Sequence, residues 1–368
     1  MLFLKFTKKL TAYICAASLA VCFTGCSKDT DDQKAADKPC EILLVTDYGT
    51  VSDGSYNQGC WEGMEKYSEE TGVVIDNYQP ENTTEEAFLD QVKRGVKNGA
   101  KIVICPGGLL EEAVFDAQSK YPDTTFILLD GEPHNADYSD ETIGTNVKSV
   151  LFAEEQAGFL AGYAAVREGY TGLGFMGGIA NDSVIRYGYG FVQGADYAAI
   201  EMGVETHIRY AYMNTFNDDP IVETTAGAWF DDDTEVIFAC GGSLGKGVMR
   251  AAEGHDGKVI GVDVDQSQES ETVITSATKS LSDAVYECLE DYYNGTFVGG
   301  SVDNLTAKEN GICLPLATSR FEKFTEDDYN SVYDRLVSGM ITPYDGTEIA
   351  TTQELTLINT NVTYIVME

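Results

Sequence analysis

From residue 41 onward the chain alternates short apolar runs with longer segments in which apolar residues recur every three or four positions. Residues 41–46, 73–78, 101–105 and 125–129 read as buried strands. Residues 55–70, 84–98 and 109–120 read as the helices between them. Cys60, Met64 and Tyr67 fall on one face of the first helix, and Phe88, Val92 and Val96 on one face of the second. The pattern resumes with helix 150–167, strand 173–177, helix 184–202, strand 206–212, helix 221–229 and strand 235–240. Helix 244–253, strands 258–262 and 272–276, and helix 282–293 complete it. Short apolar strands separated by amphipathic helices predict parallel sheets covered on both faces, joined by right-handed crossovers into a doubly wound α/β fold. The strands are too many for one sheet of ordinary size, so two lobes are expected. No Gly/Ser-rich or Pro-rich linker divides them, which predicts several short crossings between the lobes.

The first 26 residues break the pattern. Lys5, Lys8 and Lys9 precede an apolar stretch from Leu10 to Phe23, which ends at Thr24-Gly25-Cys26. About 14 apolar residues suit the core of a secretory signal and fall short of the ~20 needed to cross a bilayer. Gly25-Cys26 followed by the polar stretch 27–38 resembles a bacterial lipobox. Residues 1–25 are then a signal peptide, Cys26 the lipidation site and 26–40 a polar tether. Two or more acyl chains would anchor the protein stably, with no span of its own. Without residues 1–25, which carry three lysines and no acid, 21 basic side chains face 60 acidic ones, a net charge of −39. Such a surface repels nucleic acid and anionic lipid.

Of nine cysteines, six lie beyond the lipobox: Cys40, Cys60, Cys105, Cys240, Cys288 and Cys313. No two form a CxxC pair, and Cys105 and Cys240 sit in buried-strand patterns, so structural thiols are expected, with disulfides the alternative. Three histidines, none at ligand spacing, give a metal site little to be built from.

Two enzyme motifs fail on context. Gly172-Leu-Gly-Phe-Met-Gly177 matches GxGxxG, but its apolar residues place the glycines inside a strand, where a dinucleotide site needs a strand before them. Gly241-Gly-Ser-Leu-Gly245 matches GxSxG between a strand and a helix. The sole later histidine, His255, lies on or beside that same helix, so no Ser-His-acid arrangement follows. What remains is a glycine-rich helix N-terminus whose free N–H groups can meet a ligand.

Three strands run out into an aspartate: Asp47, Asp130 and Asp263. In open α/β sheets ligands bind beyond the carboxyl ends of strands, so three such carboxylates predict a shared cleft for a neutral, donor-rich ligand. Tyr56 and Asn57, in Asp53-Gly-Ser-Tyr-Asn57, open the first helix and offer a flat face and an amide. Phe216, in Phe216-Asn-Asp218, is the matching aromatic turn of the second lobe, and two aromatics across a cleft could sandwich a planar ring.

Asp47, Asp53-Gly-Ser-Tyr-Asn-Gln58, Trp61-Glu-Gly63 and Glu155-Gln-Ala-Gly-Phe-Leu-Ala-Gly162 resemble, in order, the basic membrane protein family of PnrA-like lipoproteins. Val184-Ile-Arg-Tyr-Gly-Tyr-Gly-Phe191, Gly261-Val-Asp-Val-Asp-Gln266 and Thr275-Ser-Ala-Thr-Lys279 extend the likeness, which covers about residues 42 to 316. The resemblance implies a type I periplasmic-binding-protein fold with a hinge cleft. It implies purine nucleoside binding on behalf of an ABC permease and its ATPase, with neither cofactor nor catalysis. Tyr56, where the family commonly has phenylalanine, and Phe216 would stack on the base. Asn57 takes the asparagine role, and Asp130 would hold the base edge. Asp47, Asp263 and Lys279 would hold the ribose near the Gly242 N–H. Lobe 1 is expected over 41–145 plus about 278–311, and lobe 2 over 146–277 plus about 312–368. Other readings are a receptor for another small polar solute, such as a sugar or a signalling molecule, or a sensory lipoprotein.

Overall fold

Two sheets account for the alternation. The computed structural model describes residues 39–47, 49–346 and 351–367; the signal, Cys26 and the tether up to residue 38 lie outside them. The first stretch runs β1 (Ile42–Val45), α1 (Tyr56–Thr71), β2 (Ile75–Tyr78), α2 (Glu85–Lys97), β3 (Ile102–Pro106), α3 (Glu111–Lys120), β4 (Thr125–Leu129) and β5 (Val147–Phe152). Then come α4 (Glu154–Glu168), β6 (Gly172–Gly177), α5 (Asp182–Met202), β7 (Thr206–Tyr212), α6 (Pro220–Phe230), β8 (Val236–Cys240), α7 (Leu244–His255), β9 (Lys258–Asp263) and β10 (Val273–Lys279). The remainder is α8 (Leu281–Asn294), β11 (Ser301–Leu305), β12 (Ile312–Cys313), α9 (Glu326–Val337) and β13 (Thr360–Tyr364).

The first sheet has the order β11-β5-β4-β3-β1-β2 and the second β12-β10-β9-β8-β6-β7-β13. All pairings are parallel except β10 with β12. The chain passes between the sheets three times, after β5, β10 and β11. All four residues of β1, and all of β8, are buried, as strands covered on both faces require. The glycines of the GxGxxG match lie within β6, as expected.

Helices α4 and α5 touch backbone to backbone. A Cβ on Gly158 or Gly162 would lie 2.1 Å from the Tyr187 or Phe191 carbonyl oxygen, and one on Gly190 would lie 1.9 Å from the Glu155 carbonyl. Only glycine permits this approach. It brings the amino ends of the two helices together beside the sheets.

Three expectations are corrected. The segment 150–167 is not one helix: its first three residues finish β5, which pairs with β4 in the first sheet, and α4 begins at Glu154. No glycine or proline separates strand from helix there, and Ala153 alone makes the turn. Strand β5 therefore joins the first sheet, whereas the expected lobe division put everything from 146 with the second. The sequence reading also ended at residue 293 and missed β11, β12, α9 and β13. Among the described residues Cys60, Cys105, Cys240 and Cys288 are buried free thiols, Cys313 is an exposed one, and Cys40 is buried.

Candidate functional site

The carboxyl ends of both sheets face a cavity of about 470 Å³. All eight residues singled out from the sequence line it: Asp47, Tyr56, Asn57, Asp130, Phe216, Gly242, Asp263 and Lys279. Asp47 lies two residues beyond β1, Asp130 directly follows β4, and Asp263 is the last residue of β9. Asp130 and Asp263 adopt φ of +55° and +67°, a left-handed conformation that aspartate tolerates better than most residues and that ends each strand abruptly.

The start of α1 is tied down by Asp53. Its carboxylate accepts from the backbone N–H groups of Ser55 (2.8 Å), Asn57 (3.1 Å) and Gln58 (3.2 Å), filling donors that a helix start leaves open. Asn57 then donates its amide hydrogens to Asp47 (2.7 Å) and Asp53 (2.9 Å). Both hydrogens of Asn57 are thus committed within the protein, and its effect on the cavity is to hold Asp47. The same turn reaches the other sheet: Ser55 Oγ donates to Asp263 (2.6 Å), and Gln266 Nε2 donates to the Gly54 carbonyl (2.8 Å).

Lys279, at the end of β10, is the electrostatic centre. Its buried ammonium pairs with Asp130, with Glu154 at 2.8 Å, and with Ser183 Oγ at 2.9 Å. An ammonium has three hydrogens, and these three partners use them. The rings of Tyr56, Phe152 and Tyr187 surround it at 5.1, 5.5 and 5.4 Å. Glu154, fully buried at the start of α4, also accepts from Arg186 Nε at 2.6 Å. Sequence reading missed Glu154, Ser183 and Arg186. Arg186 lies within the Val184–Phe191 stretch of the family likeness, and Glu154 and Ser183 open helices that follow strands, but charged residues near helix starts ordinarily face water, so no local pattern marks their burial.

Burial acts on every ionisable group in this cluster. It pushes Asp130 up to about 7 against the opposing pull of Lys279. It lifts Asp263 to about 6, moderated by Lys279 and the Ser55 hydrogen bond. For Glu154 burial is outweighed by Lys279 and Arg186, which hold it down at about 2. Lys279 itself is held above the ordinary lysine value, because Asp130, Glu154 and Asp263 outweigh its burial. Of the two carboxylates on Lys279, Glu154 keeps its charge and Asp130 takes up a proton more readily.

Phe216 sits on a floor of glycine. A Cβ on Gly178 would lie 2.3 Å from its ring, and one on Gly241 3.1 Å away. Gly242, φ +55°, precedes α7 beside it, and Ser243 Oγ donates to the Phe216 carbonyl at 3.1 Å. His255 binds Asp231 (2.9 Å), so the GxSxG serine and the histidine have separate partners. At the rim, His134 meets Glu111 (3.2 Å) and stacks on Tyr138 at 3.8 Å. Among the described residues, no cluster of histidine, cysteine and acidic side chains could hold a metal, and no helix is long and apolar enough to cross a membrane.

Comparison with known proteins extends this geometry. The family of ABC transporter substrate-binding proteins described as PnrA-like matches residues 41–342. A protein described as ABC transporter nucleoside-binding protein BmpA, from Lactococcus lactis, is 27% identical over 354 residues, covering 89% of this chain and 96% of the relative. Basic membrane protein B of Borreliella burgdorferi is 29% identical over 349 residues, covering 89% and 93%. Among solved structures, a solute-binding protein of an ABC transporter system from Aeropyrum pernix K1 aligns with a TM-score of 0.74 at 21% identity, over 86% of this chain and 96% of that one. One from Conexibacter woesei aligns with a TM-score of 0.66 at 21% identity, over 83% and 99%. These two likenesses establish the fold, that of periplasmic solute-binding proteins. With the family match spanning most of its length, the chain belongs to the PnrA-like family of ABC transporter substrate-binding proteins.

Proposed function

We propose that this protein captures purine nucleosides outside the cytoplasm and presents them to an ABC permease and its ATPase, without chemical turnover, while lipid on Cys26 holds it at the membrane. The observation that carries the ligand class is the meeting of two aromatic side chains, Tyr56 and Phe216, with Asp47, Asp130 and Asp263 around one cavity at the carboxyl ends of both sheets. A planar base suits the aromatic faces, and ribose hydroxyls and base N–H groups suit the carboxylates. The name of the Lactococcus relative supports the same class. Asp130 reads the base edge in this proposal. Asp47 and Asp263 take ribose hydroxyls, with Asn57 holding Asp47 and Lys279 holding Asp130. The Gly242 N–H completes the sugar side. The lobes, one built on each sheet, close over the ligand. No cofactor takes part.

Lys279 has its hydrogens engaged by Asp130, Glu154 and Ser183, so it cannot offset a phosphate as well. Calorimetry should therefore show purine nucleosides binding, pyrimidine nucleosides binding more weakly, and the matching nucleotides much more weakly. Tyr56→Ala should cost about 1–3 kcal/mol, the range for an aromatic stacked on a base. Tight binding of a sugar that lacks a base, with Tyr56→Ala neutral, would replace this reading by a sugar receptor.

A further inference from the structure

Two buried polar atoms of the cavity residues lack a hydrogen bond: Tyr56 Oη and Asp130 Oδ1. The other buried side-chain oxygens without a partner among the described residues, on Thr46, Ser149 and Ser267, belong to residues that do not line the cavity. Native proteins rarely leave such groups unmatched, since water has been given up and nothing has replaced it. Burial, together with the neighbouring Asp130 charge, keeps Tyr56 protonated, so its hydroxyl has a hydrogen to give. The other Asp130 oxygen, Oδ2, is held by Lys279 and lies 3.4 Å from Ser183 Oγ, leaving Oδ1 as the acceptor.

We infer that the Tyr56 hydroxyl is a specificity-determining contact that donates to an acceptor on the ligand's base, next to a base N–H that Asp130 Oδ1 accepts. The inference rests on the nucleoside reading and sharpens it. The base must present a donor and an acceptor side by side. Adenine does so with N6–H and N1, and hypoxanthine with N1–H and O6. A base that binds by stacking alone leaves both protein atoms unmatched and gains nothing from the hydroxyl. A site built to pair with a polar edge discriminates by the cost of leaving its own groups unpaired.

The test uses the full-length protein purified in detergent, with adenosine, inosine and benzimidazole riboside as probes. Benzimidazole riboside keeps the fused ring and the sugar and lacks both edge groups. Tyr56→Phe keeps the aromatic ring and removes the oxygen. It should weaken adenosine or inosine by about 3- to 10-fold, the range for one neutral hydrogen bond. Benzimidazole riboside should stay within about twofold of its wild-type affinity. Unchanged affinity for both adenosine and inosine would overturn the hydroxyl contact alone. An equal loss for benzimidazole riboside would also overturn it, since the oxygen would then be acting on ring placement or on the sugar. Wild-type protein that binds none of the three would overturn the nucleoside reading and this inference with it.

Discussion

Replacing Lys279 with methionine tests the buried cluster most directly. The side chain keeps similar length and loses its charge. Asp130 and Glu154 then lose the ammonium that lies between them. Glu154 keeps Arg186 at 2.6 Å, so the main casualty is Asp130. Removing one partner from a buried ion pair costs about 3–5 kcal/mol, because a desolvated charge is left behind. Unfolding entropy near 2.1 cal/mol/K per residue gives roughly 0.7 kcal/mol/K over about 330 residues, so the melting temperature should fall by about 4–7 °C at pH 7.5. The pH dependence has a definite sign. Asp130 titrates near 7 in the folded protein against an ordinary value of 3.8. Its ionised form therefore costs the fold stability as pH rises from about 4 to about 7. Glu154 is held at about 2, below its ordinary 4.5, so its contribution is present above 4.5 and is lost only as pH falls towards 2. At pH 5 Asp130 is largely protonated, and the cost of Lys279→Met should shrink. Adding Asp130→Asn to Lys279→Met should recover part of the loss at pH 7.5. Scanning calorimetry at the two pH values decides it. A melting temperature within about 2 °C of wild type at pH 7.5 would falsify the account, and so would a loss of equal size at pH 5.

Gly190→Ala should destabilise the fold by about 1–3 kcal/mol or more, because its Cβ would lie 1.9 Å from the Glu155 carbonyl and α4 would have to move away from α5. Unfolding in urea measures this, and an unchanged midpoint would contradict the close helix contact. Gly178→Ala should weaken ligand binding far more than stability, since its Cβ would displace the Phe216 ring, 2.3 Å away, from its floor; equal affinity by calorimetry would remove Phe216 from the site. Cys26→Ser should move the protein from the membrane fraction to a soluble one, and retention at the membrane on fractionation would count against the lipid anchor.

The fold was legible wherever burial imposed a pattern, and illegible where it did not. Strands β1, β3, β4 and β8 are covered on both faces, so each reads as an unbroken apolar run. Strand β11, Ser301-Val-Asp-Asn-Leu305, is a half-exposed edge strand with two polar residues at its centre and no such run. Strand β5 was hidden for two reasons. Lys148 interrupts its apolar residues, a charge made tolerable by Asp303 at 2.9 Å from a strand far away in sequence. Its end also merges into α4 without a breaker. Asp47, Asp130 and Asp263 were visible because a parallel sheet aims its carboxyl ends at one place. Glu154 and Arg186 were not, because their burial depends on the glycine contact between α4 and α5, which no local pattern encodes.

That hidden pair determines what the visible aspartates can do. Without Glu154, Lys279 would have a hydrogen to spare for a ligand. With it, the ammonium is saturated by Asp130, Glu154 and Ser183. The Arg186 Nε is likewise spent on Glu154. Asp263 accepts from Ser55 Oγ, and Asp47 accepts from the Asn57 amide and the Gly49 N–H, all neutral donors. The Lys279 ammonium is thus consumed inside the protein, and the aspartates leave the cavity rich in acceptors, with the Tyr56 hydroxyl and the Gly242 N–H among its donors. An incoming phosphate would have to pull Lys279 away from two carboxylates in a desolvated cleft, exposing both, and the cost of each uncompensated buried charge exceeds what one new ion pair returns. A neutral ligand with hydroxyl and N–H groups asks for no such rearrangement. The same arrangement that stabilises the fold therefore filters the ligand, which is why a substitution at Glu154, which does not itself line the cavity, bears on selectivity as much as on stability.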